Sequence, residues 1–138
     1  MSAPPGALSR GFVAAGALAL AAGVALGAAA SHAAGRALHP DAARLLQIAV
    51  LYQLVHGLAL ILAGVLARFG RSVWLALAGA AFLAGIALVC GSLYWLAFTG
   101  TSAGIVAPLG GSSFIAGWLL LAVHALVAEM GSESFRSK

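Results

Sequence analysis

Tyr52, Gln53 and His56 are the side chains of this 138-residue chain best placed to do chemistry. Spacings of three and four residues put all three on one face of a helix. They sit inside an apolar run, where polar side chains are expensive and usually face other helices or a wet cavity. A neutral imidazole in that position wants one donor and one acceptor. The bland reading of His56 is an interhelical hydrogen bond to Ser92 or Tyr94, and the sharper ones are a ligand site, a proton relay or a metal ligand. Ser112, Ser113 and His124 complete the polar set within apolar runs, with His32 at the end of the first run. A haem-ligating pair drawn from His32, His56 and His124 is disfavoured, because His32 and His124 should lie at opposite membrane faces. His39, beside Pro40, reads as an exposed loop residue.

What is missing narrows the chemistry further. Residues 11–35, 45–67 and 72–128 contain no Asp, Glu, Lys or Arg, which argues against a proton-coupled exporter that needs a buried carboxylate. No glycine-rich phosphate loop, nucleophile elbow or HExxH motif occurs. The expectation is therefore a non-enzyme with no catalytic residues, no metal and no cofactor. Cys90 is the single cysteine, so no intrachain disulfide can form. The formal charge of +4 comes from basic residues scattered at the ends of apolar runs, the pattern of membrane flanks and not of a nucleic-acid surface. The expected partner is the lipid bilayer, with other membrane proteins or a second copy of the chain as further candidates.

The elements that must position these residues are helices. With 63% apolar and 7% charged residues, against about 25% charged in ordinary soluble domains, the chain reads as one integral membrane domain over residues 1–138. The first two uncharged runs each fit one crossing of a hydrocarbon core of about 30 Å. The third would reach roughly 85 Å as one helix, so it must fold back, and Thr99–Gly104 with Pro108, Gly110 and Gly111 supplies the turn formers. Helices are expected over about 11–31, 42–67, 72–98 and 111–128. Continuous Ala/Leu-rich runs exclude a β-barrel. Pro40 and Asp41 suit the start of the second helix, and Gly70 suits its stop.

Four spans give an all-α membrane protein, a four-transmembrane-helix bundle with antiparallel neighbours. Arg10, Arg68, Arg71, Arg136 and Lys138 then share one side against Arg36 and Arg44 on the other, which predicts that both termini are cytoplasmic. Phe69, Trp74, Tyr94 and Trp95 suit the interfacial aromatic belts. Ala30–Ala33 after a long apolar stretch resembles a signal-peptide cleavage site, but about 20 apolar residues exceed the usual core of 7 to 15, so the first helix is expected to be retained. Small residues make ridges for close helix contact: Ala15, Ala19, Gly23, Gly27 and Ser31 on the first helix, Ala49, Gly57 and Gly64 on the second, Ala80, Ala84, Ala87 and Gly91 on the third. Gly117 is assigned the same packing role on the fourth.

Four blocks in this order resemble the signature of a known family: Leu26–His32, Tyr52–His56, Gly91–Tyr94 and Pro108–Trp118. They are similar to those of the YgdD family and its eukaryotic relative transmembrane protein 256, a domain of unknown function. The first block reads Gly-Ala-Ala-Ala-Ser-His where that family tends to Gly-Ala-Phe-Gly-Ala-His, and Ala107 stands where a threonine is common. The resemblance implies a small four-span protein of the bacterial inner membrane, without an established activity.

Two functions are compatible with these residues. One is a structural or interaction unit of the membrane. The other is a small-molecule or ion-handling bundle in which Gln53, His56, Ser92 and Tyr94 line a polar pocket under Pro108, Gly110 and Gly111, with Tyr52 beside it and His32 at its rim. Opposite directions of successive helices would bring those residues into one half of the membrane as a single hydrogen-bonded cluster. A wet cavity reaching His56 would favour the second function; a dry interior favours the first.

Overall fold

The computed structural model describes residues 6–33, 41–70 and 72–136, with side chains described for 6–30, 41–70 and 72–128. All regular structure among them is helical: α1 (Ala7–Ala33), α2 (Ala42–Leu66), α3 (Val73–Gly85), a π-helical turn (Ile86–Cys90), α4 (Gly91–Thr99) and α5 (Val106–Arg136). α3, the π turn and α4 run on as one span, Val73–Thr99. Four helices are therefore long and apolar enough to cross a membrane, as the uncharged runs require.

The ends differ from the sequence expectation in instructive ways. The fourth helix starts at Val106, so Pro108, Gly110 and Gly111 lie inside it and not in a turn. Proline is tolerated there because amides of a first turn have no intrahelical acceptor to lose. The reversal is confined to 100–105, where Gly100 and Gly104 take φ of 71° and 61°, values that glycine reaches without strain. Gly70 does not stop the second helix. That helix unwinds earlier, through Arg68 N–H to Val65 O and Phe69 N–H to Leu66 O, bonds of the tighter i to i−3 kind that often finish a helix. Pro40 and Arg71 lie outside the described residues.

Contacts between α1 and α2 descend along one helix as they ascend the other. Ser9 meets Gly64, Gly16 meets Gly57 and Ile61, Gly23 meets Gln53 and Leu54, and Gly27 meets Val50. The Ser9 hydroxyl donates to the Gly64 carbonyl at 2.6 Å. The buried positions of α1 are Ser9, Phe12, Gly16 and Gly23, spaced by three, four and seven. A strict spacing of four drifts around a 3.6-residue helix, which is why Gly16 and not Ala15 lies at the centre of this contact. On the third span the expected ridge Ala80, Ala84, Ala87 and Gly91 is exposed. A Cβ at Gly91 would meet nothing within 4 Å, so the packing role expected of it falls to Gly79 and Gly85.

The core is built from phenylalanine rings seated where a side chain is missing. Phe12 packs against Gly79, Phe114 against Gly85, and Phe82 against Gly117, where an added Cβ would lie 2.6 Å from the ring. Gly110 brings α5 equally close to the π turn, since a Cβ there would be 2.7 Å from Leu88 Cβ and 2.8 Å from Val89 N. Phe12, Phe82 and Phe114 belong to one buried cluster with Ala59, Leu60, Ala78 and Val89. Lipid offers no hydrophobic drive for helices to associate, so contact surface gained by close approach is the main attraction.

Gly85→Val should therefore displace Phe114 and lower stability by about 1 to 3 kcal/mol, the usual cost of overpacking. Gly91→Ala should be neutral or stabilising by up to about 1 kcal/mol, because alanine is the better helix former. Unfolding titrations in mild detergent distinguish the two.

Candidate functional site

Gln53 lies at the middle of α2 and is 5% exposed. Its Nε2 donates to the Ala19 carbonyl of α1 at 2.8 Å, and the Tyr94 hydroxyl of α4 donates to its Oε1 at 2.8 Å. The amide orientation follows from these partners: reversed, its oxygen would face a carbonyl oxygen. Gly23 makes room for this reach, its Cβ position lying 3.6 Å from Nε2. One side chain thus ties three helices together.

His56 stands outside that network. Its Nδ1 lies 2.8 Å from the Tyr52 carbonyl on the preceding turn. A carbonyl only accepts, so Nδ1 carries the proton and Nε2 the lone pair. The imidazole is stacked on Phe114 with ring centres 3.4 Å apart and planes at 13°. Trp118 approaches it edge-on at 6.1 Å and Phe82 lies 6.0 Å away. Tyr52 lies parallel to both Phe114 and His56, at 5.9 and 5.7 Å. The immediate surroundings of His56 are therefore aromatic.

Ser92 is also separate: it donates to Val89 O at 2.9 Å, within its own span. The single cluster expected of Gln53, His56, Ser92 and Tyr94 is thus a pair, Gln53 with Tyr94, beside two side chains satisfied locally. The reason is geometric. A histidine or serine on a helix can reach a carbonyl one turn back at no cost in packing, whereas a glutamine reaches a neighbouring helix. Nor does the glycine-rich segment cap the pair, because Gly110 is engaged with Leu88 and Val89. The side chain of His32 lies outside the described residues. Ser112 and Ser113 donate to Pro108 O and Leu109 O, and His124 Nδ1 lies 3.0 Å from the Ser72 hydroxyl.

Among the described residues no group of three His, Cys, Asp or Glu is arranged to hold a metal ion, and every buried side-chain nitrogen and oxygen has a hydrogen-bond partner. A cleft between α1 and α2 lies elsewhere, lined by Gly27, Ala30, Leu46, Gln47, Val50 and Leu54. Sequence reasoning missed the Ser9 bond, the π turn and the Phe114 stack. The four-residue step from Phe114 to Trp118 was the available signal for the last.

The profile of a family described as "Protein of unknown function (DUF423)" matches residues 26–111. A UPF0382 membrane protein of Haemophilus influenzae is 36% identical over 100 residues, 72% of this chain and 80% of that protein. The UPF0382 inner membrane protein YgdD of Escherichia coli K12 is 34% identical over 104 residues, 75% of this chain and 79% of that protein. A UPF0382 membrane protein of Staphylococcus haemolyticus is 43% identical over 76 residues, and the chain spans 62% of that relative's length. No solved structure matches the chain.

If the Gln53–Tyr94 bond is an independent link, Tyr94→Phe and Gln53→Leu should couple in a double-mutant cycle by about 0.6 to 1.7 kcal/mol, the range for hydrogen bonds between membrane helices. His56→Phe paired with Tyr94→Phe should be additive within about 0.5 kcal/mol. The cycle is read from unfolding titrations in detergent.

Proposed function

The chain belongs to the DUF423 family, and from that premise we propose that it is a non-enzymatic structural or interaction unit of the bacterial inner membrane. The observation that carries this reading is that the polar side chains inside the spans are engaged within the protein itself. Gln53, His56, Ser92 and Tyr94 meet partners within the protein, and the cleft between α1 and α2 is lined by none of them. A transport or ligand site would keep such polar groups open to a path, since side chains of this kind in membranes serve pathways when they line wet cavities.

In this reading the whole chain is one membrane domain, a four-helix bundle with antiparallel neighbours and both termini in the cytoplasm. The reversed order of contacts between α1 and α2, and the pairing of Phe82 with Gly117 and Gly85 with Phe114, support the alternating directions. The excess of Lys and Arg on the side of the termini supports the orientation. Retention of the first helix is supported by its burial of Ser9, Phe12, Gly16 and Gly23 against the others. The name of the Escherichia coli relative supports the inner membrane.

Reconstituted in vesicles, the purified chain should give no proton or ion flux above protein-free controls, while cross-linking in intact membranes should trap it in species heavier than its 13.7 kDa. A saturable flux abolished by His56→Phe would overturn the reading. For the topology, single cysteines at Ser2, Ser102 and Ser137 in a Cys90→Ala background should label from opposite sides, Ser102 alone from outside. Labelling of Ser102 together with the termini would reverse it.

A further inference from the structure

The cleft between α1 and α2 has a volume of about 340 Å³, and its walls, Gly27, Ala30, Ala43, Leu46, Val50, Leu51 and Leu54, are apolar apart from Gln47. It exists because α1 presents Gly27 and Ala30 where larger side chains would fill the space. Along α2 it extends from Ala43, in the first turn, to Leu54, about 16 Å at 1.5 Å per residue. That is half of a hydrocarbon core of about 30 Å, the depth of one leaflet.

The mouth of the cleft is built differently from its floor. Arg44, Gln47, Leu51 and Leu54 follow one another at steps of three, four and three and so form one stripe of α2. Side chains of a helix lean toward its N-terminus, so Arg44, which follows the lining residue Ala43 in the chain, leans toward the Ala43 end of the cleft. Arg44 and Gln47 are exposed, and neither side chain is hydrogen-bonded or ion-paired with any described residue. Asp41, one turn earlier, has a partner of its own.

We propose that this cleft is a binding site for one anionic phospholipid, with an acyl chain lying between α1 and α2 down to Leu54, the Gln47 amide at the ester level and the phosphate on Arg44. A guanidinium pairs with phosphate through two parallel hydrogen bonds, and because a choline cancels the charge of its own phosphate, the mouth favours a headgroup of net negative charge, a preference that the apolar floor cannot supply. The site holds whichever side of the membrane the Ala43 end faces, so it stands or falls separately from the proposed topology and from the proposed interaction role.

Native mass spectrometry of the full chain in mild detergent, titrated separately with phosphatidylglycerol and phosphatidylcholine, tests this. One phosphatidylglycerol per chain is expected, bound about fivefold more tightly than phosphatidylcholine, as one guanidinium beside one net negative charge predicts. Arg44→Gln should erase the preference and keep the weaker binding of both lipids. Ala43→Trp, at an exposed position in the mouth, should remove both lipids. Leu51→Trp, 60% exposed on the rim, provides the same reading if the first tryptophan impairs folding, which circular dichroism reports. Undiminished phosphatidylglycerol binding in folded tryptophan variants, an unchanged preference in Arg44→Gln, or a lipid-free particle of two chains would each overturn the proposal. The last would mean that a second copy covers the cleft.

Discussion

Close approach of helix backbones at positions without a side chain is the constraint on which the rest of this structure depends. In a bilayer the hydrocarbon solvates leucine as well as a neighbouring helix does, so association rests on contact area and hydrogen bonds. Phe12, Phe82 and Phe114 fill the spaces left at Gly79, Gly117 and Gly85, and each pairing joins two different spans. A phenylalanine buries a large area at the cost of few rotatable bonds. Rings against glycines therefore give more contact per ordered side chain than leucine against leucine.

The polar residues follow from that packing and are not imposed on it. Gln53 reaches the Ala19 carbonyl because α1 is close, and α1 is close because Gly16, Gly23 and Gly57 allow it. Phe114 reaches His56 because Gly85 and Gly110 let α5 settle against the third span. The π turn at Ile86–Cys90 lies at the same height as that contact. Such insertions widen a helix locally and often accompany special sites; here the widened turn is where Gly110 abuts Leu88 and Val89. These side chains thereby find partners within the protein, although their types alone suggested an open pocket.

Legibility in the sequence was uneven, for physical reasons. Span number and approximate ends were readable because the hydrocarbon core excludes charge over a fixed length, and the residues that match the YgdD-type blocks do mark a family. Close contacts of Gly23, Gly27, Gly57 and Gly64 follow from small-residue spacing on α1 and α2. The face of the third span did not: alanines at 80, 84 and 87 look like a packing ridge, yet Gly79, Phe82 and Gly85 face inward. Choosing between two small-residue faces requires knowing where the partner's rings are. The fate of His56 was equally hidden, because a histidine can satisfy itself on its own helix and nothing local distinguishes that from a bond across the bundle. Proline and two glycines near the start of α5 mimic a turn, although a helix tolerates proline in its first turn.

Dryness around His56 is the central claim, and solid-state NMR of the full chain in lipid bilayers, with nitrogen-labelled histidine, addresses it most directly. The account predicts a single neutral tautomer for His56, protonated at Nδ1 and bare at Nε2, with no magnetisation transferred to the ring from water. A mixture of tautomers with strong transfer from water would show a hydrated path to the imidazole and contradict it.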